Sequence, residues 1–300
     1  MAARRTGARS GDGAGDGGGH CRMDARMRQH FTFDCAGETL TATLDGADGS
    51  SGLLIVSGGN EIRSGAHAGM AALAAAVAAA GHPVMRYDRR GIGDSSGGNA
   101  GFESSADDIA AAVLAMRARV PSLTRLVAFG NCDAASSLAL YGPAAGIDAL
   151  ILANMWTLET ESDEADETEA AATMTAGAIR SRYLAKLKDP RELWRLASGG
   201  VNLGKLVRGL RQATAKAQVT GLAARLGQAL AATPLPTKLL VAEHDRTALW
   251  FLEHWDSEAF TPARANPNLT MARLDSGSHS FASAYDKAWL RERILEALGH

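Results

Sequence analysis

Leu126-Val127-Ala128-Phe129-Gly130-Asn131-Cys132-Asp133-Ala134-Ala135-Ser136 is the stretch whose reading decides the fold. A short apolar run meets a glycine, then a thiol two residues later, then small helix formers. The pattern predicts strand, sharp turn and helix, with Cys132 at the apex. A nucleophile on such a turn is held in a strained backbone conformation that pushes its side chain into the open. The residues two before and two after it are forced together, so both must be small. They are Gly130 and Ala134, and Ala135 and Ser136 keep the first helical turn slim. This is the nucleophile elbow G-x-S-x-G with Cys for Ser and Ala for the second Gly. The competing reading is an inert buried thiol that packs as a small hydrophobe.

Outward from the elbow, the period of the apolar residues switches repeatedly between strand and helix. His30-Phe31-Thr32-Phe33 and Thr39-Leu40-Thr41-Ala42-Thr43-Leu44 alternate with period two on either side of Cys35-Ala36-Gly37-Glu38, which predicts a hairpin at a sheet edge. Leu53-Leu54-Ile55-Val56 is a continuous apolar run suited to a strand buried on both faces. Residues 66–80 read as an Ala-rich helix closed by Gly81, 84–87 as a strand, and 104–119 as a helix that Ser104 or Ser105 can cap. Further strands follow at 149–153, 237–242 and 269–274, with helices near 248–258 and 282–298. Strands alternating with helices imply an α/β fold with a mostly parallel sheet covered on both faces. Ligands of such sheets bind beyond the carboxyl ends of the strands.

Those ends carry the informative residues. Ser57-Gly58-Gly59-Asn60 follows the first buried strand, and its glycines let a backbone amide approach a ligand. An oxyanion hole needs one amide just after the nucleophile, at Asp133, and one from this loop, at Gly59 or Asn60. A catalytic thiol also needs a base, and an imidazole base needs a carboxylate to fix its tautomer. His279 in Gly277-Ser278-His279-Ser280-Phe281 and Asp245 in Glu243-His244-Asp245-Arg246 lie beyond the last two strands, in the chain order nucleophile, acid, base. Glu243 is the fallback acid; His244 and His67 sit away from the base position. The helix start at Asp133 and the neighbouring His279 are expected to favour the thiolate, against the Asp133 carboxylate. Asp88-Arg89-Arg90-Gly91-Ile92-Gly93-Asp94-Ser95 lacks the spacing of a Walker or Rossmann loop and is read as a structural turn beside the site.

Composition sets the outer limits. Three hundred residues, 46% of them hydrophobic, suffice for a large core, and a net charge of -2 gives no ground for a nucleic-acid partner. The cysteines Cys21, Cys35 and Cys132 show no C-x-x-C spacing, which argues against a disulfide framework or a structural zinc site. No metal or organic cofactor is expected. No run approaches the roughly 18 apolar residues of a membrane span, and a cytoplasmic location is expected. Residues 1–26 are Gly-, Arg- and Asp-rich with few large apolar side chains, which predicts a disordered extension, with Met23 or Met27 as alternative starts.

From about Gln29 onward the chain resembles an α/β-hydrolase. More narrowly, Ser57-Gly58-Gly59-Asn60, Asp88-Arg89-Arg90-Gly91-Ile92-Gly93-Asp94-Ser95 and Cys132-Asp133-Ala134-Ala135-Ser136 are similar to the exosortase A system-associated hydrolases, type 1. That resemblance implies a bacterial hydrolase linked to exopolysaccharide production. Ser57 stands where the superfamily usually has His, and Cys132 where it usually has Ser; dienelactone hydrolase resembles this chain in using a Cys-His-Asp set. The implied organisation is a core at 27–154 and 234–300 with a helical cap at 155–233. Within the cap, 159–169 holds seven carboxylates, whereas 180–225 holds eleven Lys or Arg against Asp189 and Glu192. That basic face is either merely solvated or meets an anionic membrane or lipid carrier. The expected activity is cleavage of an ester or thioester, with a small-molecule acyl substrate, through an acyl-enzyme on Cys132. Acyl transfer to a sugar or lipid carrier and a non-catalytic role in a polymer-export assembly are the alternatives.

Overall fold

The computed structural model describes residues 28–158 and 221–299. One 8-stranded sheet organises them, in the order β1-β2-β4-β3-β5-β6-β7-β8. The strands are β1 Arg28–Cys35, β2 Glu38–Asp45, β3 Ser51–Val56, β4 Val84–Tyr87, β5 Arg125–Asn131, β6 Ala149–Ala153, β7 Thr237–Ala242 and β8 Leu269–Leu274. β1 and β2 are antiparallel, and from β4 across to β8 every neighbour is parallel. The edge hairpin runs further than the alternation predicts. Cys35 pairs with Glu38 across a two-residue turn in which Ala36 and Gly37 both take positive φ, 51° and 86°.

The helices are α1 Gly69–Ala79, α2 Ala106–Arg119, α3 Asp133–Tyr141, α4 Gly221–Ala232, α5 Arg246–Trp255, the single turn α6 Thr261–Arg264, and α7 Ala284–Gly299. Strand periodicity divides the core between the two faces. Leu53, Ile55, Val127, Phe129 and Ile151 pack with α1 and α7, while Leu54, Val56, Ala128, Leu150 and Leu152 pack with α2, α3 and α4. α4 lies within the span expected for the cap, yet its Leu222, Leu226 and Leu230 are buried in the second of these cores. The rest of the cap from 159 to 220, with its acidic and basic stretches, lies outside the described residues, as does the extension at 1–26. Among the described residues no helix is long and apolar enough to cross a membrane.

Several helix starts differ from expectation, each for a local reason. α1 begins at Gly69 rather than 66, because His67 and Ala68 take left-handed φ values of 51° and 55° that end a short 3₁₀ turn. Ser105 occupies the N-cap position of α2, but its hydroxyl donates to the Phe102 carbonyl (2.5 Å) and caps no amide. α5 starts two residues early because the Asp245 carboxylate accepts the Ala248 N–H at 3.0 Å. The 88–95 turn closes around the buried Asp88, which takes the amides of Arg63 (2.5 Å) and Asp94 (3.1 Å) together with the Arg63 guanidinium.

Candidate active site

Cys132 stands between β5 and α3 with φ 62° and ψ -128°. For a residue with a Cβ this is a strained conformation, and the surroundings hold it there. The Cys132 N–H donates to the Ala153 carbonyl at 3.0 Å, and its own carbonyl accepts from Ala135 and Trp156 at 3.1 and 3.2 Å. The tightness deduced from the sequence is present: a Cβ at Gly130 would stand 2.7 Å from the Ala134 carbonyl carbon and 2.8 Å from its oxygen. The thiol is half-buried.

His279, in the loop after β8, is joined to both partners named from the sequence. Its Nδ1 lies 3.0 Å from Asp245 Oδ2, and its ring shares a cleft with the Cys132 thiol, with which it interacts electrostatically. Asp245 is buried, and the oxygen that meets His279 also caps α5, so the carboxylate has one position. The loop is fixed through its main chain. Asn131 Nδ2 and Asn154 Nδ2 reach the His279 carbonyl at 3.1 and 3.3 Å, Asn154 also donates to Asn131 Oδ1 (3.1 Å), and Asn154 Oδ1 accepts the Ala242 N–H (2.9 Å). Two residues on, Phe281 holds φ 52° and stacks on Trp289.

The electrostatics follow from these contacts. Burial works against an imidazolium at 279, but the hydrogen bonds and charges of Asp245 and Cys132 outweigh it and push the ring up to about 10. At Cys132, burial is the largest influence and raises the thiol, the Asp133 charge raises it further, and His279 and the Asp133 amide pull the other way. The net direction is upward, which corrects the expectation of a thiol shifted downward. The helix amide and the imidazole are present, but removing the sulfur from water outweighs them. Of the other described cysteine, Cys35, the thiol is buried against Asp108 and pushed up to about 11.

The oxyanion donors are arranged differently from the sequence reading. The Gly59 N–H points at a carboxylate, donating to Asp133 Oδ1 at 2.7 Å. Burial raises the Asp133 carboxyl, while Arg89 and the amides of Gly59, Ala134 and Asp133 itself favour its charge. Asn60 is exposed at the mouth and accepts from Asn99 Nδ2 at 2.9 Å. Arg89 is buried behind the site, where one guanidinium nitrogen donates to the Gly59 carbonyl and lies 3.6 Å from Asp133 Oδ2. The 88–95 turn therefore contributes a side chain to the site as well as packing beside it. Sequence reasoning passed over Arg89, Asn131 and Asn154; an Asn one residue before the elbow thiol and another just after the next strand were the available signals. Glu243 turns away to Arg273 (3.5 Å), His244 meets Asp275 (2.7 Å), and His67 lies on the exposed turn before α1.

Cys132, His279, Ser57, Gly59 and Asn60 line one cleft of about 350 Å³ at the carboxyl edge of the sheet. Met70 and Ser280 line it too, and both also line an adjoining apolar trough of about 320 Å³ between α1 and α7. No family model and no curated protein matches the chain. Solved structures do. The esterase Pf2001 of Pyrococcus furiosus is 16% identical over 91% of this chain and 92% of that one, at a TM-score of 0.60. The thioesterase domain from the curacin biosynthetic pathway is 15% identical over 90% and 99%, at 0.54. Proline iminopeptidase of Mycobacterium smegmatis is 16% identical over 90% and 98%, at 0.52. The fold is that of the α/β-hydrolases.

Proposed function

We propose that the chain is a cysteine hydrolase that cleaves an ester or thioester through an acyl-enzyme. The observation that carries the reading is the convergence at the carboxyl edge of the sheet: Asp245 Oδ2 lies 3.0 Å from His279 Nδ1, and His279 and Cys132 line one cleft. Asp245 occupies Nδ1, which leaves Nε2 of His279 to the thiol. Cys132 Sγ and His279 Nε2 share one proton, which rests on the imidazole as the sulfur attacks the acyl carbonyl carbon. The bond to the leaving group breaks and the leaving group takes that proton, which leaves a thioester on Cys132. Water then gives its proton to Nε2, attacks the thioester and releases the acid, and sulfur regains the proton. The Asp133 N–H, the first amide of α3, serves the oxyanion, and Gly59 is its partner donor.

The trough beyond Met70 and Ser280 gives an acyl chain an apolar path away from the thiol, with Leu73 and Phe281 at its floor. The esterase and thioesterase among the similar structures suit this reading. Within it we place the resemblance to the exosortase-associated hydrolases: the substrate belongs to bacterial envelope-polymer chemistry in the cytoplasm, and the basic stretch at 180–225 meets an anionic surface or lipid carrier. The test is intact-mass detection of an acyl adduct on residue 132 during turnover of short-chain ester and thioester panels, with Cys132→Ala as control. An unmodified rate in Cys132→Ala would sink the assignment. A second reading, retention of the fold as a non-catalytic partner, draws on one observation, the Asp133 carboxylate lodged on the Gly59 amide; inactivity across the panels would favour it. Product analysis with a polyol acceptor separates hydrolysis from acyl transfer.

A further inference from the structure

An oxyanion hole and a carboxylate compete for the same donors, and here the carboxylate is already in place. Asp133 Oδ1 accepts the Gly59 N–H at 2.7 Å, and the Ala134 amide also supports its charge. The seat is built for it. A Cβ at residue 58 would stand 2.5 Å from Asp133 Oδ1 and 2.7 Å from the Asn131 carbonyl, so only glycine there leaves room for the carboxylate. An oxyanion bound to the same N–H would sit against a like charge across a partly buried gap, which is strongly unfavourable.

The other oxygen of that carboxylate faces a cation that could hold it alone. Arg89 Nη2 already donates to the Gly59 carbonyl and forms a long ion pair with Asp133 Oδ2 at 3.6 Å, and the buried Arg89 Nε has no hydrogen-bond partner among the described residues. A small rotation of the Asp133 side chain would exchange the amide for a charge-assisted contact with the guanidinium. The charged groups around Asp133 are Arg89 from the turn after β4, the Cys132 thiol, and His279 across that thiol; the β3 loop meets it with the Gly58–Gly59 backbone.

We propose that Asp133 is a positioning residue with two seats, resting on the Gly59 amide as observed and moving onto Arg89 when the tetrahedral oxygen forms. The site is thereby held idle until an acyl group fills it. The proposal rests on the cysteine-hydrolase reading and deepens it.

The experiment compares the full-length wild type with Asp133→Ala, Asp133→Asn, Arg89→Gln and Cys132→Ala, each checked for folding by thermal melt. Three quantities are read: kcat and KM for p-nitrophenyl butyrate; inhibition by butyraldehyde, whose hemithioacetal oxygen mimics the oxyanion; and the pH profile of iodoacetamide alkylation at Cys132. Asp133→Ala removes the plug, so butyraldehyde should bind about tenfold tighter and kcat should rise with KM little changed, within the roughly hundredfold that one oxyanion donor is worth. Where the alanine variant leaves Arg89 too destabilised to fold, Asp133→Asn carries the same comparison: a neutral amide yields the Gly59 N–H readily, and loss of the charge should move the alkylation profile to lower pH. Arg89→Gln removes the second seat and should lower kcat and weaken butyraldehyde, an effect that vanishes in the Asp133→Asn background. Equal or weaker butyraldehyde binding in both Asp133 variants, with Cys132→Ala inactive, overturns the two-seat proposal and leaves the hydrolase standing. Full activity in Cys132→Ala overturns both.

Discussion

At the scale of single residues, Asp245 Oδ2 serves two partners at once, the His279 ring and the Ala248 N–H, each at 3.0 Å. Cys132, Asp245 and His279 are legible because each stands at a predictable strand end. The rise of the thiol is not, because burial depends on neighbours far apart in the chain. Asp245→Asn should cost orders of magnitude in rate, since it takes away the acceptor for Nδ1–H, whereas Glu243→Gln, which loses only a contact to Arg273, should cost little; steady-state kinetics decide, and the reverse ranking sinks the assignment. The raised His279 carries a pH signature. With its folded value near 10 and a reference value of 6.5, the charged ring favours the folded state fully below about 6.5, and this contribution fades as pH climbs through about 10. The raised Cys132 thiol acts in the same direction, since the unfolded chain gives up that proton more readily as pH rises. The difference in Tm between wild type and His279→Gln should therefore shrink steadily from pH 6 to about 10. A difference that grows over that range would contradict the sign. Cys132→Ser should retain slow hydrolysis, and iodoacetamide should reach Cys132 before Cys35, whose thiol is pushed up to about 11 beside Asp108.

At the scale of elements, the elbow is a packing problem solved by the absence of a side chain. Gly130→Ala drives a methyl into the Ala134 carbonyl, and should destabilise the fold by about 1–3 kcal/mol in denaturant melts while slowing turnover by displacing the thiol. Wild-type stability in that variant would mean that α3 can step away from β5. The strands were readable because β3 and β6 are buried on both faces and leave continuous apolar runs, whereas β4 carries the buried Arg86. Helix starts were less so. The left-handed pair at His67 and Ala68 has no glycine to announce it, and the Ser105 hydroxyl spends itself on a carbonyl. Asp245 shows a second limit: a carboxylate read only as a catalytic partner is also the cap of α5. Between α1 and α7, Ala76 lines the apolar trough, and Ala76→Trp should shift the preferred acyl length toward shorter chains on a panel of p-nitrophenyl esters. An unchanged preference would place the acyl chain elsewhere.

At the scale of the whole molecule, the parallel sheet brings residues from 57 to 279 to one edge, and that convergence follows from strand order rather than from any local motif. The basic excess between 180 and 225 belongs to this scale as well. Reversing Arg208 and Arg211 to Glu should raise KM for an anionic substrate and flatten its salt dependence, with kcat nearly unchanged; no change in either would return those charges to solubility. The sheet also holds the base in an unusual manner. Asn131 at the end of β5 and Asn154 after β6, itself tied to β7, grip the main-chain oxygen of residue 279 and leave the ring ungripped by either. Position 279 is in that sense a socket, whose walls owe nothing to what is plugged into it. A glycine there should leave the loop standing around an imidazole-sized hollow, and free imidazole added to the buffer should restore part of the lost turnover in a saturable way.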